Sequence, residues 1–278
     1  MSYAATSWRR WLAWLLVAVA FAIACVFLSN WQFNRRAEVV AKNDLVTRNY
    51  DQEPLPVEQV LGATGFERSV EWRPVTLAGH YVPGTELLVR NKPYGGNQGF
   101  LQVAMFEHSD GKLYLVDRGW LPTGSTNETP DSIPPLPTGE LRLEARIRAA
   151  ETVVGKTVTE GLLPYVNPTM AAAETEIRGV FETTAYLRLS SEKTSGGQTL
   201  DLATRPMIEA KPLLSEGNHL SYAIQWIMFA IMAFATLGYF VRTERRHYLA
   251  ATDPNYVIKP KRVRRSELDE RVEDELAR

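Results

Sequence analysis

Cysteine is almost missing from this sequence. Cys25 is the only one, and it sits inside an apolar run. The chain therefore has no disulfide framework, no paired-cysteine redox motif and no copper–thiolate pair. Histidine is scarce as well. Of the four, only His80 and His108 fall in the polar middle of the chain, in no metal-ligand spacing. No G-x-S-x-G, H-E-x-x-H or phosphate-loop pattern occurs. "PYGGNQG" is glycine-rich but leads into a strand pattern, so it lacks the helix N-terminus of a phosphate site. Carboxylates are numerous but scattered, and no acid–base pair can be assigned. These absences argue against an enzyme. Neither sign of charge dominates, with 31 Lys and Arg against 32 Asp and Glu, and no nucleic-acid partner is expected.

What the sequence does have is two long apolar runs near its ends. The first, Trp11 to Trp31, carries no charge between Leu12 and Leu28. About 19 residues of helix span roughly 28 Å, enough for the hydrocarbon core of a bilayer. The second, Leu220 to Val241, is equally free of charge. Trp8, Trp11 and Trp31 bracket the first run; Tyr222, Trp226 and Tyr239 lie toward the ends of the second. Such rings favour the headgroup level. The first run is too long for a typical signal peptide and has no A-x-A site before Trp31, so an uncleaved span is expected. Arg9 and Arg10 precede it. Arg242, Arg245, Arg246, Lys259, Lys261, Arg262, Arg264 and Arg265 follow the second run, which predicts both termini in the cytoplasm.

The expected organisation is a cytoplasmic N-terminus (1–10), a transmembrane helix (11–31), an extracytoplasmic β-rich domain (32–218), a second transmembrane helix (219–241) and a charged cytoplasmic tail (242–278). The stretch after Trp31 should continue the first helix as an amphipathic stalk. "PLPVEQVLG" reads as a short helix or turn. From Trp72 onward, alternation marks half-buried strands. "GELRLEARIRA" sets Leu141, Leu143, Ala145 and Ile147 against Arg142, Glu144, Arg146 and Arg148. "SDG" is a hairpin turn between two apolar segments. "NPTMAAAETEI" predicts a short helix, and "TAYLRLSS" and "RPMIEA" late strands. The fold class is membrane α+β: two transmembrane helices flanking a mainly antiparallel β barrel or sandwich.

Two clusters stand out. In "LVDRGWLP", Arg118, Gly119 and Trp120 either bind an anionic or protein partner, or are structural: Trp120 in the core, Gly119 at a bulge, Arg118 paired with a carboxylate. At the start of the second helix, His219, Tyr222, Gln225 and Trp226 fall within an arc of roughly 120°. Polar groups beside lipid need a partner, so this arc should face the first helix, another protein or a ligand. Asn218 is placed to cap the helix. The positive end of the helix dipole favours a neutral imidazole at His219, the form that ligates metal. Either His219 anchors the helix among headgroups, or it meets a cofactor such as haem, whose apolar ring and polar propionates suit an interface.

Five patterns in order extend this reading. Trp31-Gln32-Phe33-Asn34-Arg35, "VTLAGHY" (75–81), "RNKPYGGNQGF" (90–100), "VDRGWLP" (116–122) and "EGNHLSYAIQW" ending at Trp226 resemble those of the surfeit locus protein one family of cytochrome c oxidase assembly factors. The family's N-x-H here reads Asn218-His219, and the lysine that usually follows the Arg35 position within a turn comes later, at Lys42. The resemblance implies a non-enzymatic assembly role. It would help haem a reach the catalytic subunit of a haem–copper oxidase, subunit I, or stabilise that subunit, alongside other assembly factors. It places a haem a iron ligand at His219, with Tyr222, Gln225 and Trp226 about it. Trp31, Gln32 and Arg35, with Arg118, Gly119 and Trp120, are partner or structural motifs. The short leader without an Arg- and Ser-rich presequence predicts a bacterial plasma membrane. The alternative is a membrane-tethered scaffold or receptor that binds a protein or small ligand through its outer domain, without haem.

Overall fold

The computed structural model describes residues 3–62, 65–125, 129–159, 161–200 and 206–253, with side chains from Trp8 onward. Most of the expected charged tail, from residue 254, lies outside the described residues. Two compact units are present: Glu38–Glu216, and Met1–Ala37 together with Gly217–Arg278.

The second of these is helical. Helix α1 runs Tyr3–Asn49 and crosses into the other unit as the expected stalk. The other long helix of this unit is His219–Thr252, written α4 after the short α2 and α3 defined below. Both are long and apolar enough to cross a membrane. Within this unit they run antiparallel, since Arg10 pairs with Glu244, the Ser29 hydroxyl donates to the Ala223 carbonyl at 3.0 Å, and Gln32 meets His219. The seam is built of small residues. Ala18, Cys25 and Ser29 are buried on α1, and Ala223 on α4, while neighbours such as Phe27, Val26 and Ile231 are exposed. Small side chains let two helix backbones approach, the usual device where no hydrophobic effect drives helices together. That gives the lone cysteine a packing role.

The unit Glu38–Glu216 holds the strands β1 (Leu55–Pro56), β2 (Pro74–Tyr81), β3 (Leu87–Val89), β4 (Gly99–His108), β5 (Leu113–Pro122), β6 (Leu141–Ala149), β7 (Leu162–Leu163) and β8 (Ala185–Thr194), with short helices α2 (Val57–Leu61) and α3 (Pro168–Glu174). Strand order is β1-β2-β6-β8-β5-β4-β3-β7, and a further pairing of β2 with β4 closes β2, β6, β8, β5 and β4 into a barrel. Pairing is mainly antiparallel; β1–β2, β3–β7 and β5–β8 are parallel. Closure is local to Gly79, where β2 leaves β6 and meets β4; a Cβ there would collide with the Glu107 carbonyl oxygen.

Alternation along β6 is as its sequence predicts, Leu141, Leu143, Ala145 and Ile147 being buried. Strands β4 and β5 are buried on both faces instead. Ala104, Phe106, Tyr114 and Val116 fill the barrel, and Val103, Met105, Leu113 and Leu115 pack outside it against Leu163, Val166, Ala171 and Ala172. Double burial explains why both strands read as nearly continuous apolar runs. Asn167 caps α3 by accepting from the Met170 amide at 3.1 Å, and Pro168 begins it. "RPMIEA" forms no strand: Arg205 lies outside the described residues, and Met207 makes only an isolated bridge to Trp120.

Candidate functional site

Two polar clusters are candidates, one in each unit. In the barrel, Arg118 is 1% exposed and Glu192 is fully buried. Their contact is bidentate, Nε to Oε1 at 3.2 Å and Nη2 to Oε2 at 3.3 Å. Arg118 Nη1 also donates to Gln102 Oε1 and to the Pro135 carbonyl, each at 3.2 Å. The Gln102 amide donates to the Pro134 carbonyl at 2.7 Å, and the Tyr81 hydroxyl to Glu192 Oε1 at 2.5 Å. Burial, with the Glu192 charge beside it, holds the Tyr81 hydroxyl well above its ordinary pKa. Register shifts put these groups together. One residue, Ser190, is extra in β8 opposite Glu144 and Ala145, which turns Glu192 toward the interior shared with Leu187 and Leu189. Arg118 is extra in β5, opposite Gln102 and Val103. Gly119 follows at φ +136, where a Cβ would lie 2.5 Å from the Met207 carbonyl oxygen. Trp120 is buried, donating its indole N–H to the Lys92 carbonyl at 2.7 Å. This cluster is shut to ligands, and its capacity is spent on the fold.

Beside it, Asp117 is buried against Arg188, whose Nε donates to Oδ2 at 3.2 Å, and Arg188 also pairs with Glu209 at 2.9 Å. Burial pushes the Asp117 carboxyl up to about 6, against the pull of Arg188.

The same unit carries a cleft of about 930 Å³ between the starts of β4 and β7, the end of β5 and the loop before β4. Arg90, Asn97, Gln98 and Thr123 supply polar walls, and Phe100 and Trp120 an aromatic floor. The loop is pinned by Lys92–Gly99 and Tyr94–Asn97 backbone bonds.

The helical unit is different. At the start of α4, His219 Nδ1 lies 2.8 Å from Gln32 Oε1. An amide oxygen only accepts, so Nδ1 carries the hydrogen and donates. In the neutral ring that leaves Nε2 as a bare lone pair, the arrangement by which metal-bound imidazoles are oriented from behind. Nε2 has no hydrogen-bond partner among the described residues. Gly217, at φ +65, stands next to that edge, and a Cβ there would sit 3.4 Å from Cδ2 and 3.6 Å from Nε2. A side chain at 217 would therefore lie in van der Waals contact with the Nε2 edge, which glycine leaves open.

The expected polar arc divides in two. His219 is half-buried and meets Gln32 of α1, while Trp226 is half-buried and packs edge-on against Phe229 of its own helix at 5.7 Å. Tyr222 and Gln225 are exposed. Asn218 occupies the N-cap position, but its side chain makes no capping bond; its carbonyl accepts from the Tyr222 amide at 3.1 Å. Trp31 is 59% exposed, and Arg35 follows Gln32 by one helical turn. Sequence reasoning grouped Trp31, Gln32 and Arg35 without seeing that Gln32 is the histidine's orienter. The available signal was two polar residues, Ser29 and Gln32, on one stripe of an apolar helix. The donor set fits a haem: a fixed imidazole with one free nitrogen, a half-buried indole on its own face, and exposed Tyr222 and Gln225 alongside. Among the described residues no group of three or more His, Cys, Asp or Glu is placed to hold a bare metal ion.

The profile of the SURF1 family matches residues 19–231 of the chain. An uncharacterized SURF1-like protein of Mycobacterium bovis is 33% identical over 256 residues, which cover 88% of this chain and 90% of the relative. SURF1-like proteins of two Mycobacterium tuberculosis strains match to the same extent.

Proposed function

Because the chain belongs to the SURF1 family, a family of oxidase assembly factors, we propose that it handles haem a on the way to the catalytic subunit of a haem–copper terminal oxidase. The observation that carries this reading is the His219–Gln32 pair, with Nε2 left open beside Gly217. When bound, haem iron would supply a Lewis-acid centre, and His219 would be the residue that holds it. The chain's own residues do the rest. Gln32 fixes the tautomer and the ring plane, Gly217 leaves room, and Tyr222 and Gln225 offer hydrogen bonds on the exposed side. The protein acts as a membrane-bound chaperone without catalysis of its own, in a bacterial plasma membrane with both termini inside.

The test is spectroscopic. Full-length protein purified from cells making haem a should carry haem absorbance, and His219→Ala should abolish it. Gln32→Leu should keep the ligand yet broaden or shift the spectrum, because the ring is no longer held. A blank spectrum in the parent, or an unchanged one in His219→Ala, overturns the reading. Deletion of the protein should lower oxidase activity and haem a content of the membranes.

The cleft at Arg90, Asn97 and Gln98 favours a second reading, a scaffold that grips a protein segment through its outer unit. Under it, Gln98→Ala with Asn97→Ala would impair oxidase assembly while leaving any haem spectrum intact.

A further inference from the structure

The cleft of the barrel unit contains a charge that the fold leaves unanswered. Arg90 directly follows β3, and its amide donates to the Leu163 carbonyl at 2.9 Å, which fixes the backbone at the cleft wall. The residue is half-buried, and its Nε is buried with no hydrogen-bond partner among the described residues. Nη2 makes one long bond, to the Thr157 carbonyl at 3.4 Å, and no carboxylate among the described residues pairs with the guanidinium. Two positions on, Lys92 is treated differently: its Nζ lies 2.5 and 2.7 Å from the two oxygens of Glu151. Apart from Arg90, the residues lining the cleft are uncharged. A buried donor without an acceptor is costly, and the planar guanidinium fork matches the two oxygens of a carboxylate.

The other walls suit main chain. Asn91, Asn97 and Gln98 are exposed, and their carboxamides make no hydrogen bond among the described residues. A carboxamide both donates and accepts, as a peptide group does, whereas a bare anion would call for donors alone. Gln98 is braced against the end of β5, because the Thr123 amide and hydroxyl both donate to its carbonyl, at 3.3 and 2.9 Å. The Trp120 indole N–H is already committed to the Lys92 carbonyl, so its ring, with Phe100, offers the cleft only apolar surface. We propose that this cleft binds an extended acidic segment of a partner protein. One Asp or Glu carboxylate sits on Arg90, the adjoining main chain on Asn91, Asn97 and Gln98, and a neighbouring apolar side chain on Phe100 and Trp120. The inference rests on the scaffold reading of the same cleft and adds what the segment must carry.

The test offers a displayed library of random decapeptides to full-length protein immobilised in detergent micelles. Enriched peptides should share an Asp or Glu beside an apolar residue. Replacing that carboxylate with its carboxamide should weaken binding about tenfold or more, the factor for a hydrogen bond to a charged group. Arg90→Gln should erase the difference between acid and amide peptides. Arg90→Lys should restore only part of it, since the charge returns without the fork. Asn97→Ala with Gln98→Ala, both at exposed positions, should weaken acid and amide peptides alike and leave their ratio unchanged. That surface pair ties the peptides to the cleft even where Arg90→Gln fails to fold. An acid preference that survives in folded Arg90→Gln overturns the proposal, because the carboxylate then binds elsewhere. Enrichment of peptides with no shared acid, weakened by the surface pair, also overturns it but leaves the scaffold reading standing. No enrichment over blank micelles removes both. 3-Phenylpropionate binding as tightly as the selected peptides makes a small carboxylate the occupant, and the partner segment is then wrong.

Discussion

The barrel interior and the head of the helix pair solve the same problem in opposite ways. Each gathers polar side chains about one charged or titratable group. In the barrel, Arg118, Glu192, Gln102 and Tyr81 bond to one another and to proline carbonyls, and are 0–3% exposed. At the helix head, His219 commits one nitrogen to Gln32 and keeps the other. A cluster that spends its bonding capacity internally belongs to the fold. One that holds a donor rigidly from behind and leaves its far side bare is equipped to take something up.

The comparison breaks most sharply if a single barrel carboxylate can be lost at no cost. Glu192→Ala strands a buried guanidinium and should destabilise the outer unit by about 3–5 kcal/mol, read by chemical denaturation of the full chain in detergent. Arg118→Met with Glu192→Leu should cost much less, since no charge is left alone. His219→Ala should leave the same transition nearly where it was, although it removes the candidate ligand.

The next effect concerns pH. The Asp117 carboxyl titrates near 6 in the folded chain, above its usual value of 3.8. The folded state therefore holds more protons between those limits, so its stability from this group is full below about pH 4 and falls as pH rises to 6. A tenfold difference in proton affinity between folded and unfolded chains corresponds to about 1.4 kcal/mol. Asp117→Asn should flatten that part of the stability profile. If the slope survives, another buried group is responsible.

Smallest is the helix pair's own hydrogen bond. Ser29→Ala removes the donor to the Ala223 carbonyl and should weaken helix association by only about 0.6 kcal/mol, measured by unfolding in mixed micelles. A loss several times larger would mean that the head of the pair is as tightly interlocked as the barrel.

Much of this was legible beforehand because it follows from periodicity. The two apolar helices, the alternation of β6 and the short helix α3 needed only local pattern. The family resemblance pointed to His219, Tyr222, Gln225 and Trp226, but only coordinates separate the half-buried His219 and Trp226 from the exposed Tyr222 and Gln225. Pairings between distant positions were not legible. Gln32 meets His219 across 187 residues; its place on one stripe with Ser29 marks a seam residue but does not say which residue it meets. Glu192 would face away from Arg118 if Ser190 were not extra in β8, and the sequence "LSSEK" carries no sign of that slip.

The loop that closes the barrel over Arg118 includes Pro134 and Pro135, which offer carbonyl oxygens and have no amide hydrogens. Beneath it lie surplus donors, a guanidinium and a carboxamide. An imino-acid pair can be pressed down on them without bringing in donors that would need acceptors of their own. The polarity of the plug is thus matched to the polarity of what it covers: its inward side offers only acceptors to a pair of donors.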